Sequence, residues 1–161
     1  MGQAEWVKAF RDLHERAKAG VLEARARVKY RVLRDKLADL FLSGQRVALL
    51  PGQRPRRALR VASALKVHVE FHSGSESAMT LQVSSGGFGA LLARAPHLGE
   101  EVKVALRVPG GQPLQATARV VAVNQKSGNA SASFQFVNVD KFAVERIEMF
   151  VFDTILRQLE R

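Results

Sequence analysis

Cysteine is missing altogether. That excludes a disulfide framework and any thiolate-ligated metal centre, and it fits a reducing compartment such as the cytoplasm. Missing too is any run near the ~18 consecutive apolar residues of a membrane span. The opening residues, Met1-Gly2-Gln3-Ala4-Glu5-Trp6, hold no secretory apolar core, and Trp6 stands where a myristoylation signal needs Ser or Thr. No nucleophile elbow, Walker loop, dinucleotide fingerprint, HExxH or paired carboxylate occurs. Neither an internal repeat nor a low-complexity segment is present. Together these absences predict a soluble, cytoplasmic binding module rather than an enzyme.

What is present suffices for one domain with an appendage: 161 residues, 47% of them hydrophobic. The net charge of +10 is unevenly placed. Residues 1–43 hold ten Lys/Arg against six acids, and residues 64–161 hold ten against nine. Residues 44–63 hold five Arg and no acid, so half the net charge sits in a short connector. A general nucleic-acid binder more often spreads a basic stripe over its folded surface. Focused charge suits a small anion.

Three segments follow from the periodicity. Residues 1–43 predict one long helix, free of proline and rich in Ala, Leu, Arg, Lys and Glu. One apolar stripe runs Trp6, Phe10, Leu13, Ala17, Val21, Ala24, Val28. A second, on another face, runs Leu22, Ala26, Tyr30, Leu33, Leu37, Leu40. Such a helix bends near Gly20 or touches two surfaces, and it predicts self-association or a partner protein. Residues 44–60 form a basic Pro/Gly linker that ends the helix, with Val47-Ala48-Leu49-Leu50 as a short strand or plug. Residues 61–161 then change to period two. Strands are predicted at 62–71, 77–83, 89–93, 101–108, 114–123 and 130–137, separated by Gly-, Pro- and Ser-rich turns. Asp140 reads as the N-cap of a final helix over 141–159, with Ile147, Phe150, Val151, Ile155 and Leu159 facing the strands. The fold class is mainly β: a six-stranded antiparallel barrel or sandwich with helices at both ends.

Two strings carry chemistry. Arg56-Arg57-Ala58-Leu59-Arg60 puts three guanidinium groups just ahead of the first strand. Guanidinium binds phosphate oxygens and guanine O6/N7 edges bidentately and stacks on planar bases. Gln82-Val83-Ser84-Ser85-Gly86-Gly87-Phe88-Gly89 follows at the end of the second strand, with two hydroxyl donors and three glycines that let backbone approach a ligand. Alone, the first is a solvated basic linker as often as not, and the second is usually a plain hairpin. Together they predict a pocket for an anionic, purine-containing small molecule. His68, Glu70 and His72 share one strand face opposite Val67, Val69 and Phe71, the pattern of a solvated face and not a metal site.

The order and spacing of the two strings resemble the signature of the PilZ domain, the bacterial receptor module for cyclic di-GMP. That family carries R-x-x-x-R ahead of its barrel and [D/N]-x-S-x-x-G on it. Arg56 and Arg60 match the first motif, and Ser84 and Gly87 match the second. Gln82 occupies the Asp/Asn position with the same amide as Asn on a stem one methylene longer. The resemblance implies a barrel, cyclic di-GMP as ligand, no cofactor, and a site of Arg56, Arg57, Arg60, Gln82, Ser84, Gly86 and Gly87. It also implies a hinge: ligand bracketed by the arginines draws the linker over the barrel and re-aims the N-terminal helix. Two rivals remain. One is a PilZ-like scaffold acting through protein contacts without the nucleotide. The other is a nucleic-acid binder using the linker and the cations between Arg25 and Lys36, although these go right round the helix.

Overall fold

The computed structural model describes the backbone of residues 3–46 and 59–159, and side chains over 5–40 and 59–159. The chain divides into two compact units: Met1–Leu59 with Phe152–Arg161, and Arg60–Val151.

The expected single N-terminal helix is in fact two, α1 (Gln3–Lys18) and α2 (Ala24–Arg46). Gly20 is the reason. Its φ of 74° lies in the left-handed region, which an L-side chain resists. Gly20 N–H donates to the Ala17 carbonyl and Val21 N–H to that of Arg16, at 3.1 and 3.0 Å. This pair of bonds is the Schellman arrangement that closes a helix C-terminus. At the other end α2 runs through Gly44 to Arg46, beyond the expected stop. The proposed plug at 47–50 lies outside the described residues.

The break divides the first apolar stripe. Trp6, Phe10 and Leu13 are buried, whereas Val21, Ala24 and Val28 are exposed. In the second stripe Leu22, Tyr30 and Leu37 are buried and Leu40 is not. The centre of this unit is aromatic. Phe10 stacks on Tyr30 with centroids 5.4 Å apart and meets the edge of Phe152 at 5.9 Å. Phe152 belongs to α3 (Lys141–Leu159), whose residues from 152 onward join the helical unit.

His14 is enclosed in this cluster. Its Nδ1 lies 2.8 Å from the Tyr30 hydroxyl, and its Nε2 faces Asp153 Oδ1 at 3.5 Å. A neutral ring fits: the phenol donates to Nδ1 while Nε2 carries the proton toward the carboxylate. Burial pushes the imidazole pKa below its usual 6.5, outweighing the opposite pull of Asp153. Lys18 donates to the same Asp153 oxygen at 2.7 Å, and that bond raises the lysine's pKa.

The second unit is built on seven strands: β1 (Val61–Ala62), β2 (Lys66–Phe71), β3 (Gly74–Ser84), β4 (Gly87–Leu92), β5 (Glu101–Leu106), β6 (Leu114–Lys126) and β7 (Asn129–Asn138). All pairings are antiparallel. β2, β5, β6, β7, β4 and β3 pair in that order, and β3 pairs back to β2. The six strands therefore close into a barrel, which removes exposed edges. Buried residues alternate along β2, β5 and β7, while β4 is buried almost throughout. Val67, Val69, Val104, Leu106, Val120 and Leu92 all reach nearly complete burial. Each contributes about 1.5–3 kcal/mol relative to exposure.

The final helix starts as its sequence predicts: Asp140 Oδ1 accepts from Ala143 N–H at 2.7 Å, satisfying an orphan N-terminal donor. Arg146 fixes its first half by donating to the Val108 and Gln112 carbonyls, both at 2.7 Å. Ile147, Phe150 and Val151 are buried within the barrel unit. Ile155 is buried in the helical unit, and Leu159 is exposed, not facing the strands as expected.

Candidate ligand-binding site

The strand predicted over 62–71 is interrupted, and the interruption builds the site. β1 pairs with the end of β3 through Val61–Val83 and Ala62–Gln82, while β2 pairs with its beginning, as far as Lys66–Met79. Between them Ser63 and Ala64 stand against the single residue Leu81, a β-bulge. Thr80, almost wholly buried, holds that bulge. Its hydroxyl donates to the Ser63 carbonyl at 2.6 Å and accepts from Leu65 N–H at 2.8 Å. The register of β1 sets Arg60 level with Ser84, next to the Val61–Val83 pair. The last arginine of the basic string and the Ser-Gly turn, 24 residues apart in sequence, are thus neighbours.

On its other side Leu81 has no partner, because the β3–β4 register shifts between Thr80 and Gln82. The shift leaves Thr80 and Val83 inside while Leu81 and Gln82 both remain outside. Gln82 pairs with Gly89 on β4. A Cβ at position 89 would come within 3.3 Å of Gln82 Cγ and Nε2, so the glutamine stem lies across bare backbone. Gly89, the third glycine of the sequence string, therefore joins the candidate site, and its register opposite Gln82 gives the reason.

Ser84 and Gly87 act within the turn. Gly86 N–H donates to Ser84 Oγ at 3.1 Å, and that hydroxyl reaches the Gly87 carbonyl at 3.4 Å. The Gly86 carbonyl accepts from Phe136 N–H on β7 at 2.9 Å. A Cβ on Gly87 would land on the Phe134 carbonyl oxygen, so the close approach its glycine permits is to β7. Beneath it Phe88 stacks on Phe134 with centroids 4.8 Å apart. Ser84 itself is buried.

Of the predicted residues, the structure brings together Arg60, Gln82, Ser84, Gly86 and Gly87, all in the barrel unit. Arg56 and Arg57 lie outside the described residues. His68 and Glu70 on β2 and His72 in the turn after it are exposed, and among the described residues no group of acids and histidines is arranged to hold a metal.

A family profile described as the PilZ domain matches residues 54–153. The chain belongs to the PilZ family. No functionally curated protein matches it. Among solved structures its PilZ barrel is similar to Bacillus subtilis MotI/DgrA, an inhibitor of motility, at 20% identity and a TM-score of 0.58, over 68% of this chain and 53% of that one. YcgR from Escherichia coli in complex with c-di-GMP gives 18% identity and 0.57, over 66% and 49%. The separate PilZ domain of YcgR with c-di-GMP gives 16% and 0.54, over 66% and 96%. The chain spans about half the length of the first two. These likenesses confirm the fold, a closed six-stranded barrel with helices on either side of it in sequence. No described helix is long and apolar enough to cross a membrane.

Proposed function

We propose that this chain is a cyclic di-GMP receptor whose output is a protein contact rather than a reaction. The observation that carries the reading is the register of β1, which sets Arg60 beside the Gln82–Gly87 turn. Phosphate and guanine edges need guanidinium forks, and a guanine N1/N2 edge needs an oxygen acceptor. Arg60, with Arg56 and Arg57 upstream, supplies the forks. Gln82 supplies the acceptor through its amide oxygen, and the exposed Gly86 lets the nucleotide approach the backbone. Ser84 and Gly87 keep that surface in shape. Membership of the PilZ family and the c-di-GMP complexes of its structural neighbours support the choice of ligand. On binding, residues 54–60 are drawn onto the barrel, and the change passes to the helices that precede them. The protein works in the cytoplasm.

Calorimetric titration of cyclic di-GMP into the full chain at physiological salt tests this. Arg60→Ala removes charge-assisted bonds of about 1.5–3 kcal/mol, so affinity should drop about 10- to 100-fold. Gln82→Ala should cost about 1 kcal/mol, a fewfold loss. Absence of heat for the wild type at high concentration would sink the receptor reading and leave a PilZ scaffold acting through contacts alone. Unchanged amide exchange over residues 44–63 on ligand addition would sink the hinge.

A further inference from the structure

The purine acceptor of the candidate site is an amide, and no carboxylate stands near it. Gln82 is half-buried, and its stem lies across bare Gly89, with Cγ and Nε2 each 3.3 Å from where a Cβ there would stand. Its amide makes no hydrogen bond to any of the described residues. Over residues 59–138 the acids are Glu70, Glu76, Glu100 and Glu101, and none is on β1, β4, β6 or β7. Glu76 is six residues along β3 from Gln82, about 20 Å at ~3.3 Å per residue, and accepts from Ala93 N–H at 2.7 Å. Glu70 and Glu100 stand at that same far end, opposite Ser75 and beside His72. Glu101 is paired with Arg119 at 2.7 Å. Residues 44–63 add no acid.

A purine read on its Watson–Crick edge tells an amide from a carboxylate. Guanine offers two adjacent donors there, N1–H and N2–H, and the two oxygens of a carboxylate accept both. An amide accepts one and turns its own N–H toward the other, so one guanine donor goes unmet. Adenine sets its N6 donor beside the N1 acceptor, and an amide satisfies both. The same complementarity makes Gln a bidentate partner of adenine in DNA recognition. Half a turn about the last side-chain bond puts donor and acceptor in either order without a change of shape. The arginines have the opposite preference. A guanidinium fork needs the paired O6/N7 acceptors of guanine, and adenine puts its N6 donor in the place of O6. One side of the site therefore favours guanine and the other adenine.

We propose that the site prefers a cyclic dinucleotide of one guanine and one adenine over cyclic di-GMP, with the guanine held by the arginines and the adenine by Gln82. The proposal rests on the receptor reading and refines its ligand. Both phosphates and the ribose–phosphate ring are common to the two ligands, so the arginine–phosphate bonds are unaltered. What changes is one hydrogen bond gained and one unmet donor removed, worth about tenfold in affinity. Cyclic di-AMP lacks the guanine that the forks read and falls below the mixed ligand.

Calorimetric titration of the full chain with cyclic di-GMP, cyclic di-AMP and their mixed guanine–adenine analogue, all at one salt concentration, ranks the three. Wild type should bind the mixed ligand about tenfold more tightly than either symmetric one. Gln82→Glu should invert the order of the mixed ligand and cyclic di-GMP. Its carboxylate accepts both guanine donors and meets adenine N1 with a second acceptor. The gain for cyclic di-GMP also shows that the variant is folded, and the wild-type ranking needs no variant at all. A wild type that binds cyclic di-GMP as tightly as the mixed ligand, or a Gln82→Glu protein that keeps the wild-type order, would overturn the proposal and leave the receptor reading standing. Silence toward all three would overturn both.

Discussion

Gly87 shows how a motif residue can be required for a reason the motif does not state. Sequence alone offers two uses for it, turn geometry or ligand approach, and the structure supplies a third, contact with the Phe134 carbonyl. Gly87→Ala should destabilise the barrel by about 1–3 kcal/mol through overpacking, read as a lower melting temperature even without ligand. His14 was not legible at all. A lone histidine in a helical stripe has no sequence mark of burial, and its partners stand sixteen residues away in Tyr30 and near the chain's other end in Asp153. Its lowered pKa has a direct consequence. The unfolded chain takes up the proton first as pH falls, so the stability His14 contributes above about 6.5 is lost progressively on acidification below that value. Thermal melts followed by helical circular dichroism should decline from about pH 7.5 to about pH 5.5, and His14→Gln should flatten that decline.

Elements divide by whether their cause is local. The alternation of Val67, Val69 and their counterparts is a property of each strand, so all six predicted strands appear in the barrel with shifted ends. Asp140 as a cap is equally local. The bulge at Ser63–Ala64 is not, because it exists only relative to the strand paired with it. Gly20 falls between the two: the glycine is visible, but whether it bends, breaks or is absorbed depends on what the flanking helices bury. The bulge makes Thr80 a positioning residue for the whole of β1. Thr80→Val keeps the volume and strips a donor and an acceptor from Ser63 and Leu65. It should cost about 2 kcal/mol of barrel stability. It should also weaken cyclic di-GMP binding with every arginine still in place, and unchanged calorimetric affinity would show that β1 needs no such clamp.

At the scale of the whole molecule, sequence reading placed the functional parts in order along the chain but misjudged where one unit hands over to the next. The final helix looked like a cover for the strands from end to end. Yet Phe152, Asp153 and Ile155 belong to the helical unit, since apolar periodicity says that a helix is buried and not by what. Phe152→Ala should therefore be felt at the opposite terminus. Loss of its contact with Phe10 should destabilise the helical unit by about 3–5 kcal/mol and speed amide exchange in α1. Slow, wild-type exchange there would show that α1 and α2 hold without it.

The match to the PilZ profile ends at residue 153, two residues past the last residue of the barrel unit. A fragment cut to that profile would carry Phe152 and Asp153 out of the company of Phe10, His14 and Lys18, and would leave Phe10 without its edge partner in the half discarded. Neither half would be a fair sample of the parent. The customary economy of expressing the barrel alone would present a bare aromatic ring at its new end and invite association through it. For this chain the smallest honest specimen is the uncut one.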